Sequence, residues 1–214
     1  MKYQIIPVTP FQQNCSLIWC DKTKAAAVVD PGGDMDRILV EVDKLGVKLE
    51  KVLLTHGHID HVGAAKKLSE HVGIPIIGPH KADSFWLENL AEQSKHFGFV
   101  HCEPFAPTQY LESGDTVTLG SLTLEVLHCP GHTPGHIVFF SASSCTAWVG
   151  DVLFHGSIGR TDFPQSNHQD LIHSITQTLW PLGRDVEFIP GHGPISTFGT
   201  ERDQNPFVAD QLFS

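Results

Sequence analysis

The 214-residue sequence predicts an α+β fold in which two sheets pack together with helices on the outside. Short strand-like stretches outnumber helical ones in each half. Both halves also repeat a similar order of hairpins, helices and a strand ending in histidine, the pattern of layered sheets. The length is that of one medium domain with a sizeable core. No linker, internal repeat or low-complexity segment divides it, so a single domain spanning 1–214 is expected.

In order, Tyr3 to Val8, Cys15 to Trp19 and Ala25 to Val29 read as strands, with Asp21-Lys22-Thr23-Lys24 as a hairpin turn. Asp30-Pro31-Gly32-Gly33 breaks the sheet. Ile38, Leu39, Val42 and Leu45 then recur at helical spacing up to Gly46. A strand at 51–55 leads into a polar loop, with a helix opening at Val62-Gly63-Ala64-Ala65. That helix places Ala65, Leu68 and Val72 on one face and ends at Gly73. Ile74 to Ile77 reads as a strand and Asp83 to Glu92 as helical. His96 to Pro107, carrying Phe97, Phe99 and Phe105, reads as a loop beside the site. Strands follow at Thr116 to Leu119, Leu122 to Leu127, Ile137 to Phe140 and Thr146 to Val149. Leu171, Ile172, Ile175 and Leu179 make a helix face, and Val186 to Ile189 is a final buried strand before a helical or irregular tail.

Composition narrows the partners. Lys and Arg number 14 against 24 Asp and Glu, a formal charge of −10, which disfavours nucleic acid and anionic membrane surfaces. No apolar run approaches the ~18 residues of a membrane span, and Met1-Lys2-Tyr3-Gln4 opens no signal-peptide pattern. Five cysteines without a C-x-x-C pair read as reduced thiols. A cytoplasmic monomer acting on a small molecule is expected.

Histidine is the outlier, with 14 copies, and three of them lie in Thr55-His56-Gly57-His58-Ile59-Asp60-His61. This stretch follows the apolar run Val52-Leu53-Leu54, so it sits on a strand-to-helix loop. Such a crowd of titratable groups beside a buried strand is costly unless it binds something. Imidazole and carboxylate are ligands for zinc and its neighbours. In extended backbone His56 and His58 point the same way and pinch one ion. Asp60 and His61 face elsewhere, which suits two metals better than one. Three later strands share a design, each ending in glycine and a potential ligand: Gly131-His132, Gly150-Asp151 and Gly191-His192.

The H-x-H-x-D-H signature at His56 to His61 resembles the metallo-β-lactamase superfamily, and within it the glyoxalase II (hydroxyacylglutathione hydrolase) group. The resemblance runs nearly the whole length. It implies a four-layer αβ/βα sandwich and a two-metal site. His56, His58 and His132 would hold the first ion; Asp60, His61 and His192 would hold the second. Asp151 would bridge both, alongside a solvent hydroxide. Asp60 and Asp151 are the catalytic carboxylates on this reading. Zinc is the leading metal, with iron or manganese as alternatives.

The reaction implied is cleavage of glutathione thioesters such as S-lactoylglutathione by attack of the bridging hydroxide, in methylglyoxal detoxification. A thiolate leaves without a dedicated general acid, and the sequence holds neither a G-x-S-x-G elbow nor an obvious nucleophilic Cys-His pair. Arg160 falls where glyoxalase II enzymes place a basic residue for glutathione; an ion pair with Asp162 is its alternative role. Longer family members carry a C-terminal helical domain for glutathione, whereas this chain ends soon after His192 and has Pro194 in place of a glutathione-binding tyrosine. The grip on glutathione is expected to be reduced.

Gly-Arg-Thr-Asp-Phe at 159–163 also resembles the persulfide dioxygenases of the superfamily, whose single iron would take His56, His132 and Asp151. The absence of an export pattern disfavours β-lactam hydrolysis. Asp30 is either a turn former or an acceptor for a ligand, and His128 and His136 are candidates to support the ligands. His71, His80, His96, His101, His155, His168 and His173 read as surface or core residues.

Overall fold

Successive side chains of a strand face opposite ways, and in the central strands of this chain both faces are buried. In the computed structural model, which describes residues 1–213, that double burial produces three core regions. β1 (Lys2–Val8), β2 (Gln13–Trp19), β3 (Ala25–Val29), β4 (Lys48–Leu53) and β5 (Ile76–Ile77) form one sheet in chain order. Along β3, Ala26 and Val28 face one core region, with Ile38 and Leu68 of the helices α1 (Met35–Leu45) and α3 (Ala65–Val72). Ala25, Ala27 and Val29 face the other way, into the space between the sheets.

The second sheet contains β6 (Thr116–Leu119), β7 (Leu122–His128), β8 (Ile137–Ser141), β9 (Thr146–Gly150), β12 (Glu187–Pro190) and β13 (Ser196–Thr197), in the order 13-12-9-8-7-6. Ile137, Phe139 and Trp148 fill the inter-sheet layer with Ile18, Val29 and Leu53 of the first sheet. Val138, Ala147 and Val149 pack outward with Leu171 of α6 (His168–His173) and with Ile175 and Leu179 of a π-helical continuation, Ser174–Leu179. The layers are therefore helix, sheet, sheet, helix. Phe139 is fully buried at their centre, and its truncation to alanine would cost ~3–5 kcal/mol.

Most elements lie where the periodicity places them. The differences have local causes. The polar loop already turns helical at Ile59, as α2 (Ile59–Val62), and a separate helix begins at Ala65. Gly63 leaves room there: a side chain on it would run into the carbonyl oxygens of Gly32 and Ile59. The 83–92 helix is two, α4 (Ser84–Glu88) and α5 (Leu90–Phe97), so the expected loop starts only after Phe97. A small hairpin, β10 (Leu153–Phe154) with β11 (Ser157–Ile158), is too short to leave a period. β12 is not the last strand, because β13 returns beside it before α7 (Phe198–Gln204). Val72 is on the exposed side of α3.

Candidate metal centre

Each sheet contains a parallel pair whose ends meet at one edge of the sandwich. β3 and β4 run together with Val29 opposite Leu53, and β9 and β12 with Gly150 opposite Pro190. Asp30 and the His56 turn emerge from the first pair; Asp151 and His192 emerge from the second. His132 arrives on the β7–β8 connection, held by Ser166 Oγ donating to its carbonyl at 2.7 Å. The glycine before His192 is required, because a Cβ on Gly191 would collide with Asp151 Oδ1 and His61 Cε1.

All seven residues singled out as ligands converge. His58 Nδ1 lies 3.1 Å from His56 Nε2 and 3.0 Å from His132 Nε2. Asp60 Oδ2 lies 3.1 Å from His192 Nε2 and 3.7 Å from His61 Nε2. Asp151 stands between the two groups. Its Oδ1 is 3.3 Å from His61 Nε2, and its Oδ2 is 3.6 Å from His132 Nε2 and 3.7 Å from His192 Nε2.

Four of the imidazoles are oriented by their far nitrogen. His61 Nδ1 donates to Asp30 Oδ2 at 2.9 Å, His132 Nδ1 to the Arg160 carbonyl at 2.8 Å, and His192 Nδ1 to the Phe11 carbonyl at 3.2 Å. His56 Nδ1 donates to Thr55 Oγ1 at 3.0 Å, which in turn donates to Asp30 Oδ2 at 2.6 Å. Each of these Nδ1–H bonds leaves the Nε2 lone pair aimed inward. Buried His61 Nε2 and Asp151 Oδ1 have no hydrogen-bond partner. Inward lone pairs at this spacing fit small divalent ions bonded at ~2.0–2.2 Å.

Electrostatics divide the ligands. Burial, reinforced by neighbouring imidazoles, holds His56, His58 and His136 well below the ordinary histidine range. Burial opposes charge on His61 too, but the carboxylates of Asp151 and Asp60 outweigh it and push its pKa well up. Asp151 is pushed up by burial and, more strongly, down by His61, His132 and His192, ending far below the usual carboxylate value. Neutral His56 and His58 beside ionised Asp151 are the protonation states a metal requires, whereas His61 must give up its proton when an ion binds.

The site opens into a pocket of about 780 Å³. Phe163 forms part of its wall, 4.9 Å and 5.6 Å by ring centroid from His58 and His132. Arg160 also lines it, but its guanidinium is paired with Asp162 through bonds of 2.9 and 2.8 Å and lies 4.6 Å over the Phe163 ring.

Residues 8–195 match the metallo-beta-lactamase superfamily. The chain belongs to that superfamily. It is 47% identical to hydroxyacylglutathione hydrolase GloC of Haemophilus influenzae over 97% of this chain and 98% of that protein. Among solved structures it resembles the BLEG-1 B3 metallo-beta-lactamase, with a TM-score of 0.89 and 34% identity over 97% of this chain and 99% of that one. It also resembles TTHA1623 in a di-iron-bound form, with a TM-score of 0.88 and 33% identity over 96% and 100%. The chain is a metallohydrolase of the metallo-β-lactamase superfamily, with two groups able to hold a metal ion side by side.

In this superfamily member, Asp30 resolves as an orienting acceptor: Thr55 N and Thr55 Oγ1, at 2.7 and 2.6 Å, and His61 occupy its carboxylate. The two flanking histidines part company. His136 stacks on His56 at 4.6 Å, and its Nε2 accepts the Asp151 backbone N–H at 3.0 Å. His128 instead donates to the Pro134 carbonyl and stacks on His80, away from the centre.

Sequence reasoning missed three contributors. Asp83 is fully buried and accepts from Gly57 N, Gly135 N and Thr133 Oγ1 at 2.8, 2.6 and 2.9 Å, tying the His56–His58 turn to the His132 turn. Burial pushes its pKa up to about 6 despite those donors. Gln93 accepts from Ile59 N and donates to the Gly57 carbonyl. His96, assigned from sequence to surface or core, lines the pocket because α5 reaches it. A polar residue on a helix carries no signal of the loop it will meet.

Proposed function

We propose that this metallohydrolase cleaves glutathione thioesters such as S-lactoylglutathione to a hydroxy acid and glutathione, as the name of its Haemophilus relative describes for that protein. The observation that carries the proposal is the position of Asp151, one carboxylate shared by two three-residue groups. His56, His58 and His132 would hold one divalent ion and Asp60, His61 and His192 the other, with Asp151 standing between the two groups. When bound, the ions supply an activated water near neutral pH and polarise the thioester carbonyl. Zinc, iron and manganese all suit the donor set, and the di-iron form of a structure 33% identical supports a paired site.

The residues do the remaining work. Asp30 and Thr55 keep His61 and His56 in the tautomer whose Nε2 faces the centre of the site. The Arg160 and Phe11 carbonyls do the same for His132 and His192. The thiolate leaves unprotonated, so no side chain need act as general acid. Arg160 meets the substrate once it exchanges Asp162 for a substrate carboxylate. Both halves supply ligands, so residues 1–214 would act as one domain, and because one chain carries the whole ligand set a monomer suffices. The net charge of −10 suits neither nucleic acid nor an anionic membrane surface as partner, and no described helix is long and apolar enough to cross a membrane. Five unpaired cysteines suit the cytoplasm.

Anaerobic incubation with S-lactoylglutathione tests this: thiol and D-lactate appear with no oxygen consumed. A second reading, persulfide dioxygenase with iron on His56, His132 and Asp151, draws on the 159–163 segment. Oxygen uptake with glutathione persulfide, without thioester cleavage, would establish it instead.

A further inference from the structure

The walls of the pocket carry more than a lactoyl thioester uses. On one side of Asp151 stand Phe163 and Trp86, with Arg160 over the Phe163 ring. On the other side, around His192, stand Phe154, 6.4 Å from its ring, and Phe11, whose carbonyl accepts from His192 Nδ1. Phe11 meets Phe97 of α5 edge-on at 6.3 Å, and all three phenylalanines line the pocket. Phe11 and Phe97 remain 47% and 39% exposed.

Arg160 is the only lysine or arginine among the described lining residues. Arg160, the permanent cation of that lining, gives a carboxylate-bearing thiol its partner on the Phe163 side, and with the scissile carbonyl at Asp151 the acyl group would lie the other way. A pocket of about 780 Å³ falls in the range that encloses a drug-sized ligand, ~300–1,000 Å³. The few atoms of a lactoyl group leave Phe11, Phe97 and Phe154 uncovered.

Resting on the thioester reading, we propose that the preferred acyl group is bulky and apolar, an aryl-substituted 2-hydroxyacyl group packed against Phe11, Phe97 and Phe154. A single methylene in an apolar pocket discriminates by ~10–200-fold, so a ring in place of a methyl group gives at least a tenfold preference.

The test compares kcat/KM of the metal-replete enzyme for S-D-mandeloylglutathione and S-D-lactoylglutathione. The expected ratio is about ten or more. Phe97→Ala and Phe154→Ala bring it toward one, while Phe163→Ala, on the thiol side, lowers both substrates alike. Equal use of the two thioesters by the wild type overturns the proposal and leaves thioester hydrolysis standing. Loss of the preference in Phe163→Ala instead of Phe97→Ala overturns the assignment of the wall. If neither thioester is cleaved, the hydrolase reading fails, and calorimetry with the product acids decides the pocket separately. D-mandelate binding at least tenfold tighter than D-lactate, with the gap closed in Phe97→Ala, supports it; equal binding overturns it.

Discussion

At the floor of the pocket His56, His61 and His132 are buried to within a few per cent, and each has its far nitrogen anchored. At the rim Phe11 and Phe97 are part-exposed and Arg160 more so, on loops or a helix end, and Arg160 is held by a neighbouring acid that is itself exposed. The floor hangs from strand ends whose positions the two sheets settle, so displacing one side chain disturbs several others. The rim side chains are tied mainly to one another, Phe11 to Phe97 and Arg160 to Asp162. Chemistry is placed where the fold is stiff, and selectivity where substitution costs the fold little.

The largest effect separates floor from rim. The purified protein is expected to carry about two metal ions per chain, and Asp151→Ala to disturb both while hydrolysis falls by roughly a thousandfold or more. Elemental analysis showing at most one ion in the wild type, with His61 and His192 dispensable, would make the floor a mononuclear site. Next come the groups beneath the ligands. Asp30→Ala frees the His61 ring and removes the acceptor behind Thr55, so metal affinity should drop ~10–100-fold in a chelator competition.

Asp83→Ala tests whether the floor is one unit. It strands three donors on two different ligand turns, and each orphaned group costs ~1–3 kcal/mol. The thermal midpoint should fall by several degrees or more, with Asp83→Asn between the two. An unchanged midpoint would mean that the turns hold themselves. The smallest effect belongs to the rim. Arg160→Ala keeps the backbone carbonyl that orients His132, so the midpoint should stay put while the Michaelis constant for glutathione thioesters rises several-fold. A small thioester lacking the peptide should be unaffected; equal effects on both would remove Arg160 from substrate binding.

His56 to His61 announced the floor because three imidazoles and a carboxylate packed into six residues have few other uses. His132, Asp151 and His192 were legible through their shared strand-glycine context, and the two-sheet sandwich through strand-like stretches that outnumber helical ones and recur in a similar order in both halves. These signals survive in sequence because they are local: periodicity, strand ends and dense ligand spacing are written within a few residues.

What joined them was decided only in three dimensions. Asp30 had two readings as a turn residue until β3 was laid beside β4 and brought it to Thr55 and His61. His136 and His128 share one turn, yet only His136 meets the centre, because the β8 end carries it under His56. Asp83, Gln93, His96 and the facing rings of Phe11 and Phe97 come from segments far apart in the chain. Burial pays for such contacts only after the sheets have packed, so the residues that make them carry no mark of it beforehand.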